Sequence, residues 1–165
     1  AFGTDIAEII HSCKMIDPDG SVQEALPEKL SFSYRSSILK RQAWDQTIWQ
    51  SSFTVKKDDP ELIRLRGEEN LAKRHSGQPV SERSLGSVFK NPEGMSAGKL
   101  IQDADLKGFS IGNATVSMKH ANFITTQKGV RSEDYRKLIL YVQQVVFDRF
   151  GVQLEPEIEF LGFED

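Results

Sequence analysis

Ser132 to Gly151 reads SEDYRKLILYVQQVVFDRFG, and its spacing decides the fold. Leu138, Val142, Val145 and Arg149 recur every three or four residues, and Ile139 and Val146 widen the stripe. The stretch therefore predicts a long helix with one buried face, stopped by Gly151. On its N-terminal side, Gly108 to Thr126 predicts two short strands around Gly112-Asn113, the second running from Ala121 to Thr126. Before them, Ser96 is placed to cap a short helix carrying Leu100, Ile101 and Ala104. Beyond Gly151, Glu157 to Leu161 predicts a closing strand after Pro156. Helix, strand pair, helix and strand make a small α+β unit.

Further out, the first third predicts strands. Ile9 to Ile16 mixes apolar and polar residues, and Asp17-Pro18-Asp19-Gly20 follows as a turn. Val22 to Ala25 predicts the hairpin partner, and the aromatic and β-branched run Thr47 to Val55 a second strand. Asp58 or Asp59 then caps a helix with Pro60 in its first turn and Gly77 at its end. Leu62, Leu65 and Ala72 share one face of that helix, against a charged face of Arg64, Arg66, Glu68, Glu69, Lys73 and Arg74. A polar loop is expected after Gln78-Pro79. The domain boundary is placed at the start of this helix, dividing residues 1–57 from 58–165.

Composition narrows the function classes. At 165 residues, a chain buries enough surface to fold without staples. Its 38% hydrophobic and 27% charged residues are those of a globular protein. With 21 Lys+Arg against 24 Asp+Glu the net charge is −3, which argues against a broad nucleic-acid surface; Lys56-Lys57 and Lys119-His120 are too sparse to track a backbone. No apolar run reaches the ~20 residues that span a bilayer. Cys13 is the sole cysteine, so neither an intrachain disulfide nor a cysteine-based zinc cluster forms, as fits a reducing cytoplasm. The start at Ala1 lacks both a secretory signal and an initiator Met, as expected of a chain processed or cut from something longer.

Several signatures are missing: G-x-G-x-x-G, H-E-x-x-H and G-x-S-x-G. Gly94 to Lys99 imitates a P-loop but is one residue short, with Leu100 where a magnesium-binding hydroxyl belongs, so it is read as a glycine turn feeding a helix. His11, His75 and His120 are scattered, without metal-binding spacing. Met95, Met118, Trp44 and Trp49 are read as packing or loop residues. Three stretches carry chemistry. Gly86-Ser87-Val88-Phe89-Lys90-Asn91-Pro92 joins a backbone-permissive glycine to a hydroxyl, a cation and an amide. Tyr34-Arg35-Ser36-Ser37 offers a guanidinium for a carboxylate or phosphate, or one that merely stacks at the surface. Leu154-Glu155-Pro156-Glu157 sets two carboxylates around a proline, by default a solvated strand entrance.

Taken in order, these stretches resemble a known family. With Ala1-Phe2-Gly3, Phe32 to Ser37, Gln78-Pro79, Ser96 to Ile101, Leu106-Lys107-Gly108, His120-Ala121-Asn122-Phe123 and Phe150-Gly151, the chain resembles the later part of the UDP-N-acetylenolpyruvoylglucosamine reductases. These are flavoenzymes of bacterial peptidoglycan synthesis. The short connection from Pro79 to Gly86 looks like the compact subtype, which lacks a tyrosine-bearing loop. The resemblance implies FAD and NADPH as cofactors and the enolpyruvyl ether of UDP-N-acetylglucosamine as substrate. It matches Ser87 to the proton donor, and Arg35 and Glu157 to residues that stabilise the intermediate. Tyr34, Lys90, Asn91 and His120 match substrate-side positions, Lys90 doubling as a cation that would help Ser87 release its proton. Glu157 would have to act protonated or through water, which burial would favour. Most of the FAD site lies before the position of Ala1 in this family. The resemblance therefore implies that residues 1–57 are the remainder of an FAD-binding α+β domain and residues 58–165 a substrate-binding one. The alternatives are a non-catalytic nucleotide-sugar-binding fragment, or one half of a split flavoenzyme pairing with a separate FAD-binding half. Neither nucleic acid nor membrane is expected as a partner.

Overall fold

Asp17 to Gly20 make the first sharp reversal in the computed structural model, which describes residues 3–41 and 46–163. Ala1, Phe2 and Trp44, named above, lie outside the described residues. Gly20 takes φ +84° and donates its N–H to the Asp17 carbonyl at 2.9 Å, so β1 (Ile10–Ile16) returns as antiparallel β2 (Val22–Ala25). β3 (Thr47–Phe53) pairs along the other side of β1, giving the order β2-β1-β3. Two single-turn helices, α1 (Pro27–Leu30) and α2 (Ile38–Arg41), connect them. Ile10, Cys13, Met15, Ala25 and Leu30 form a small core, with Phe32 and Leu39 against it. Trp49, read as a packing or loop residue, stands on the expected strand β3 and is 71% exposed.

The chain divides into two compact units, Ala1–Gly67 and Glu68–Asp165. The helix α3 (Pro60–Gly77) contributes to both. Asp59 caps it, its carboxylate accepting the N–H groups of Glu61 (2.8 Å) and Leu62 (3.3 Å). Its apolar residues behave differently from expectation. No residue of α3 is buried, and Leu62, Leu65 and Leu71 are each about half exposed.

The second unit is a four-stranded antiparallel sheet of β4 (Arg83–Ser87), β5 (Ser110–Ile111), β6 (Ala114–Val116) and β7 (Phe123–Thr126), in the order β4-β7-β6-β5. Two helices, α4 (Ala97–Asp103) and α5 (Ser132–Phe150), share its core. Leu138, Ile139, Val142 and Val146 of α5 are almost fully buried beside Val88, Ile101, Val116, Ile124 and Leu154. Each such side chain contributes about 1.5–3 kcal/mol relative to exposure. Gly151 ends α5 as expected, at φ +69° with its N–H on the Phe147 carbonyl.

Three expectations change here. The polar loop after Pro79 contains a strand, β4. Gly112-Asn113 turns the β5–β6 hairpin, so the strand ending at Thr126 is a third one and begins at Phe123. Finally, Glu157 to Leu161 is not a strand: Pro156 makes a single bridge to Phe89. Pro156 has no N–H to donate. The rung around it uses Lys90 N–H to the Glu155 carbonyl (2.9 Å) and Glu157 N–H to the Val88 carbonyl (2.7 Å), after which pairing stops.

A candidate site around the Gly86 bulge

β4 pairs Ser84 with Thr125 and Ser87 with Phe123, so it spends three steps where β7 spends two. The extra residue falls at Leu85-Gly86, and Gly86 absorbs it at φ +87°, a conformation costing other residues about 1–2 kcal/mol. Alternation along the strand is reset beyond it: Leu85 is 67% exposed, whereas Val88 and Phe89 are buried. Ser87 stands at this step, half-buried.

The chain after Ser87 is held from both sides. Towards β7, Val88 donates its N–H to the Asn122 carbonyl (2.9 Å). The Asn122 side-chain amide spans Phe89, accepting its N–H (2.9 Å) and donating to its carbonyl (2.8 Å). Towards the C-terminal segment, Val88 and Lys90 make the rung with Glu155 and Glu157 described above. Ser87, Lys90 and Glu157 are thereby brought to neighbouring positions on one hydrogen-bonded framework.

Lys90 has only 17% of its side chain exposed, and its ammonium pairs with the carboxylate of Glu155, which is 68% exposed. A cation on a buried stem with an exposed partner is available to an incoming anion. Glu157 is half-buried. Asn91 serves the backbone: its Oδ1 accepts the Ala97 N–H at 3.0 Å, while Ser96 caps α4 on the Lys99 N–H at 3.3 Å. Gly94, at φ +69°, makes the turn into this helix.

His120 faces inward. Burial holds its pKa below the ordinary 6.5, and the nearby Lys107 charge pushes the same way. Its Nδ1 accepts the Asn122 N–H at 3.2 Å, which puts the proton of the neutral ring on Nε2. The ring meets Phe123 edge-on at 4.9 Å, and a Cβ on Gly98 of α4 would come within 3.3 Å of it.

Tyr34 and Arg35 belong to the first unit. They form the tip of a tight reversal in which Ser33 and Ser36 exchange both backbone hydrogen bonds (2.9 and 3.0 Å). Arg35 is exposed, takes φ +53°, and stacks its guanidinium 5.6 Å from the Tyr34 ring centre. Arg41 straps the reversal down, donating to the Ser33 hydroxyl (3.0 Å) and the Ser31 carbonyl (2.6 Å). A strained, anchored tip carrying a cation is suited to carboxylate or phosphate capture.

A cavity of about 530 Å³ lies elsewhere in the second unit, at the start of β4. Ser84, Leu85, Arg131, Tyr135, Phe160 and Phe163 are among its walls, and Ser87 and Lys90 are not. The Tyr135 hydroxyl is buried there, and burial pushes its pKa up to about 12. Among the described residues no cluster of His, Cys, Asp and Glu is placed to hold a metal ion. No helix there is long and apolar enough to cross a membrane.

Asn122 is the member of this framework whose role sequence reasoning missed. It was visible only as part of His120-Ala121-Asn122-Phe123, and nothing in that string shows an amide spanning a neighbouring strand.

Comparison with known proteins identifies relatives of the chain and of its fold. Residues 78–161 match the family model for the C-terminal domain of UDP-N-acetylenolpyruvoylglucosamine reductase. The chain is 39% identical over 164 residues to the protein of that name from Exiguobacterium sibiricum, covering 99% of this chain and 53% of the relative. It is 40% identical over 162 residues to the one from Leuconostoc mesenteroides, covering 98% and 55%. The crystal structure of the Thermus caldophilus reductase superposes with a TM-score of 0.79 at 34% identity, covering 93% of this chain and 53% of that one. The chain thus spans about half the length of the relatives it matches.

Proposed function

Because the chain belongs to the UDP-N-acetylenolpyruvoylglucosamine reductase family, we propose that it is the substrate-handling half of a reductase that makes UDP-N-acetylmuramate for peptidoglycan precursor synthesis in the cytoplasm. In this reading residues 58–165 form the substrate-binding domain and residues 1–57 the end of the FAD-binding domain. The observation that carries the proposal is the single framework that joins Ser87, Lys90 and Glu157, formed by the very residues that match the family's motifs.

In the family's reaction a flavin reduced by NADPH would supply the hydride that reaches the vinyl carbon of the enolpyruvyl ether. The carbon–carbon double bond becomes single, the electron pair moves toward the carboxylate, and a proton at the neighbouring carbon completes the lactyl ether. This chain's residues would manage the charge and the proton. Arg35 holds the carboxylate through two parallel hydrogen bonds and offsets the growing negative charge. Ser87 delivers the proton, and Glu157 steadies the intermediate. Lys90 would exchange Glu155 for an anionic group of the substrate, and Tyr34, Asn91 and His120 match the family's substrate-side positions.

The flavin itself does not fit on these residues alone. Among the described residues of the first unit, the glycines with positive φ are Gly3 and Gly20, isolated in separate turns rather than strung into a phosphate-cradling loop. A second reading is that this chain binds the nucleotide sugar without catalysis, or pairs with a separate flavin-binding half. The test is Ser87→Ala in the full-length flavoenzyme containing this chain. Flavin reduction by NADPH should proceed normally while substrate turnover slows by about 10²-fold or more. Unchanged turnover would remove Ser87 from the mechanism.

A further inference from the structure

We propose that Asn122 is a positioning residue for the proposed reaction, setting the spacing of Ser87, Lys90 and Glu157 although it carries none of the chemistry. This rests on the reductase reading for its catalytic consequence, but not for its structural one.

The bulge at Gly86 lets Ser87 leave the regular ladder, and the same freedom threatens the register of everything after it. Asn122 restores that register. It is only 5% exposed, and its backbone carbonyl takes the Val88 N–H while its side-chain amide closes on both polar groups of Phe89, at 2.9 and 2.8 Å. Phe89 is itself 2% exposed, so without the amide its backbone groups would be buried and unpaired. The clamped pair lies directly between Ser87 and Lys90. The Val88 carbonyl on its other side receives the Glu157 N–H, so the position of Glu157 follows from the same clamp. His120 fixes Asn122 in turn by accepting its N–H on Nδ1. Catalytic geometry is steep in distance: a shift of about 1 Å can cost about 10²-fold in rate. A clamp of this kind is therefore expected to show in the proton-transfer half of the reaction.

Two measurements on Asn122→Leu, which keeps the bulk and removes the amide, test the inference. In the full-length flavoenzyme, flavin reduction by NADPH should stay within about threefold of the parent, while reoxidation by substrate falls about 10²-fold; Asn122→Asp, which keeps the acceptor for Phe89, should lose less. In this chain by itself, amide hydrogen exchange at Phe89 and Lys90 should accelerate at least about tenfold, with β6–β7 amides unchanged. Reoxidation at the parental rate, equal losses in both half-reactions, or unaltered exchange at Phe89 would each overturn the assignment. A parent enzyme that oxidises NADPH but never turns over the enolpyruvyl sugar would instead sink the reductase reading, and the exchange measurement would still decide the role of Asn122.

Discussion

Gly112 leaves no room for a side chain. A Cβ there would stand 2.4 Å from Oδ2 of Asp134, which is buried and held by Arg131 at 2.8 Å, and the backbone already sits at φ +55°. Gly112→Ala should destabilise the second unit by about 2–5 kcal/mol, combining backbone strain with overpacking. Thermal unfolding would show it, and in an Asp134→Ala background, which removes the carboxylate and leaves its Cβ at 3.2 Å, the same change should cost clearly less. His120 makes a residue-scale prediction of another kind. Its folded-state pKa lies below 6.5, so between that lowered value and 6.5 the unfolded chain takes up a proton that the folded chain refuses. Its contribution to stability is therefore fully present above about pH 6.5 and is lost as the pH falls through that window. Denaturant titrations from pH 7.5 to 5 should show stability declining, and His120→Gln should flatten the decline. An identical slope in the variant would mean that other groups control it.

At the scale of elements, the bulged β4 carries both the chemistry and the difficulty. Gly86→Ala keeps the chain's composition nearly unchanged but asks an L-residue to hold φ +87°, in space that is otherwise open. The expected stability loss is modest, about 1–2 kcal/mol, while turnover in the full flavoenzyme should fall much further because Ser87 is re-aimed. Measuring both on one preparation separates the two effects; equal proportional losses would argue against a positioning bulge. The same strand shows where sequence reasoning stops. The long helix α5 was legible because Leu138, Val142 and Val146 repeat at helical spacing and Gly151 takes the left-handed cap. The first hairpin was legible because Pro18 and Gly20 fix its turn. Arg83-Ser84-Leu85-Gly86-Ser87 has no alternation, since the bulge breaks it, and so the strand reads as loop in the sequence. Glu157 to Leu161 reads as a closing strand in the sequence, yet the segment makes one bridge, Pro156 to Phe89, and goes no further. In the site, the motif residues could be read from the string, while Asn122 could not, because its work depends on a contact across 33 positions of sequence.

At the scale of the molecule, the first unit leaves much apolar surface in water. On and beside β3, Ile48 is 45% exposed, Trp49 71%, Phe53 47% and Val55 84%, with Val22 of β2 at 59%. Scattered apolar residues are ordinary, but these lie on and beside one small sheet whose β3 edge pairs with no further strand among the described residues. Apolar surface left in water favours association that would bury it. The chain by itself is then expected to bind FAD poorly and to associate with itself through the exposed strand. Gel filtration of the chain mixed with FAD should return flavin-free protein at a concentration-dependent size. The full-length flavoenzyme should keep its flavin, at a constant size. Stoichiometric FAD emerging with this chain alone would show that the residues present are sufficient for the cofactor, and the division of labour between two halves would have to be abandoned.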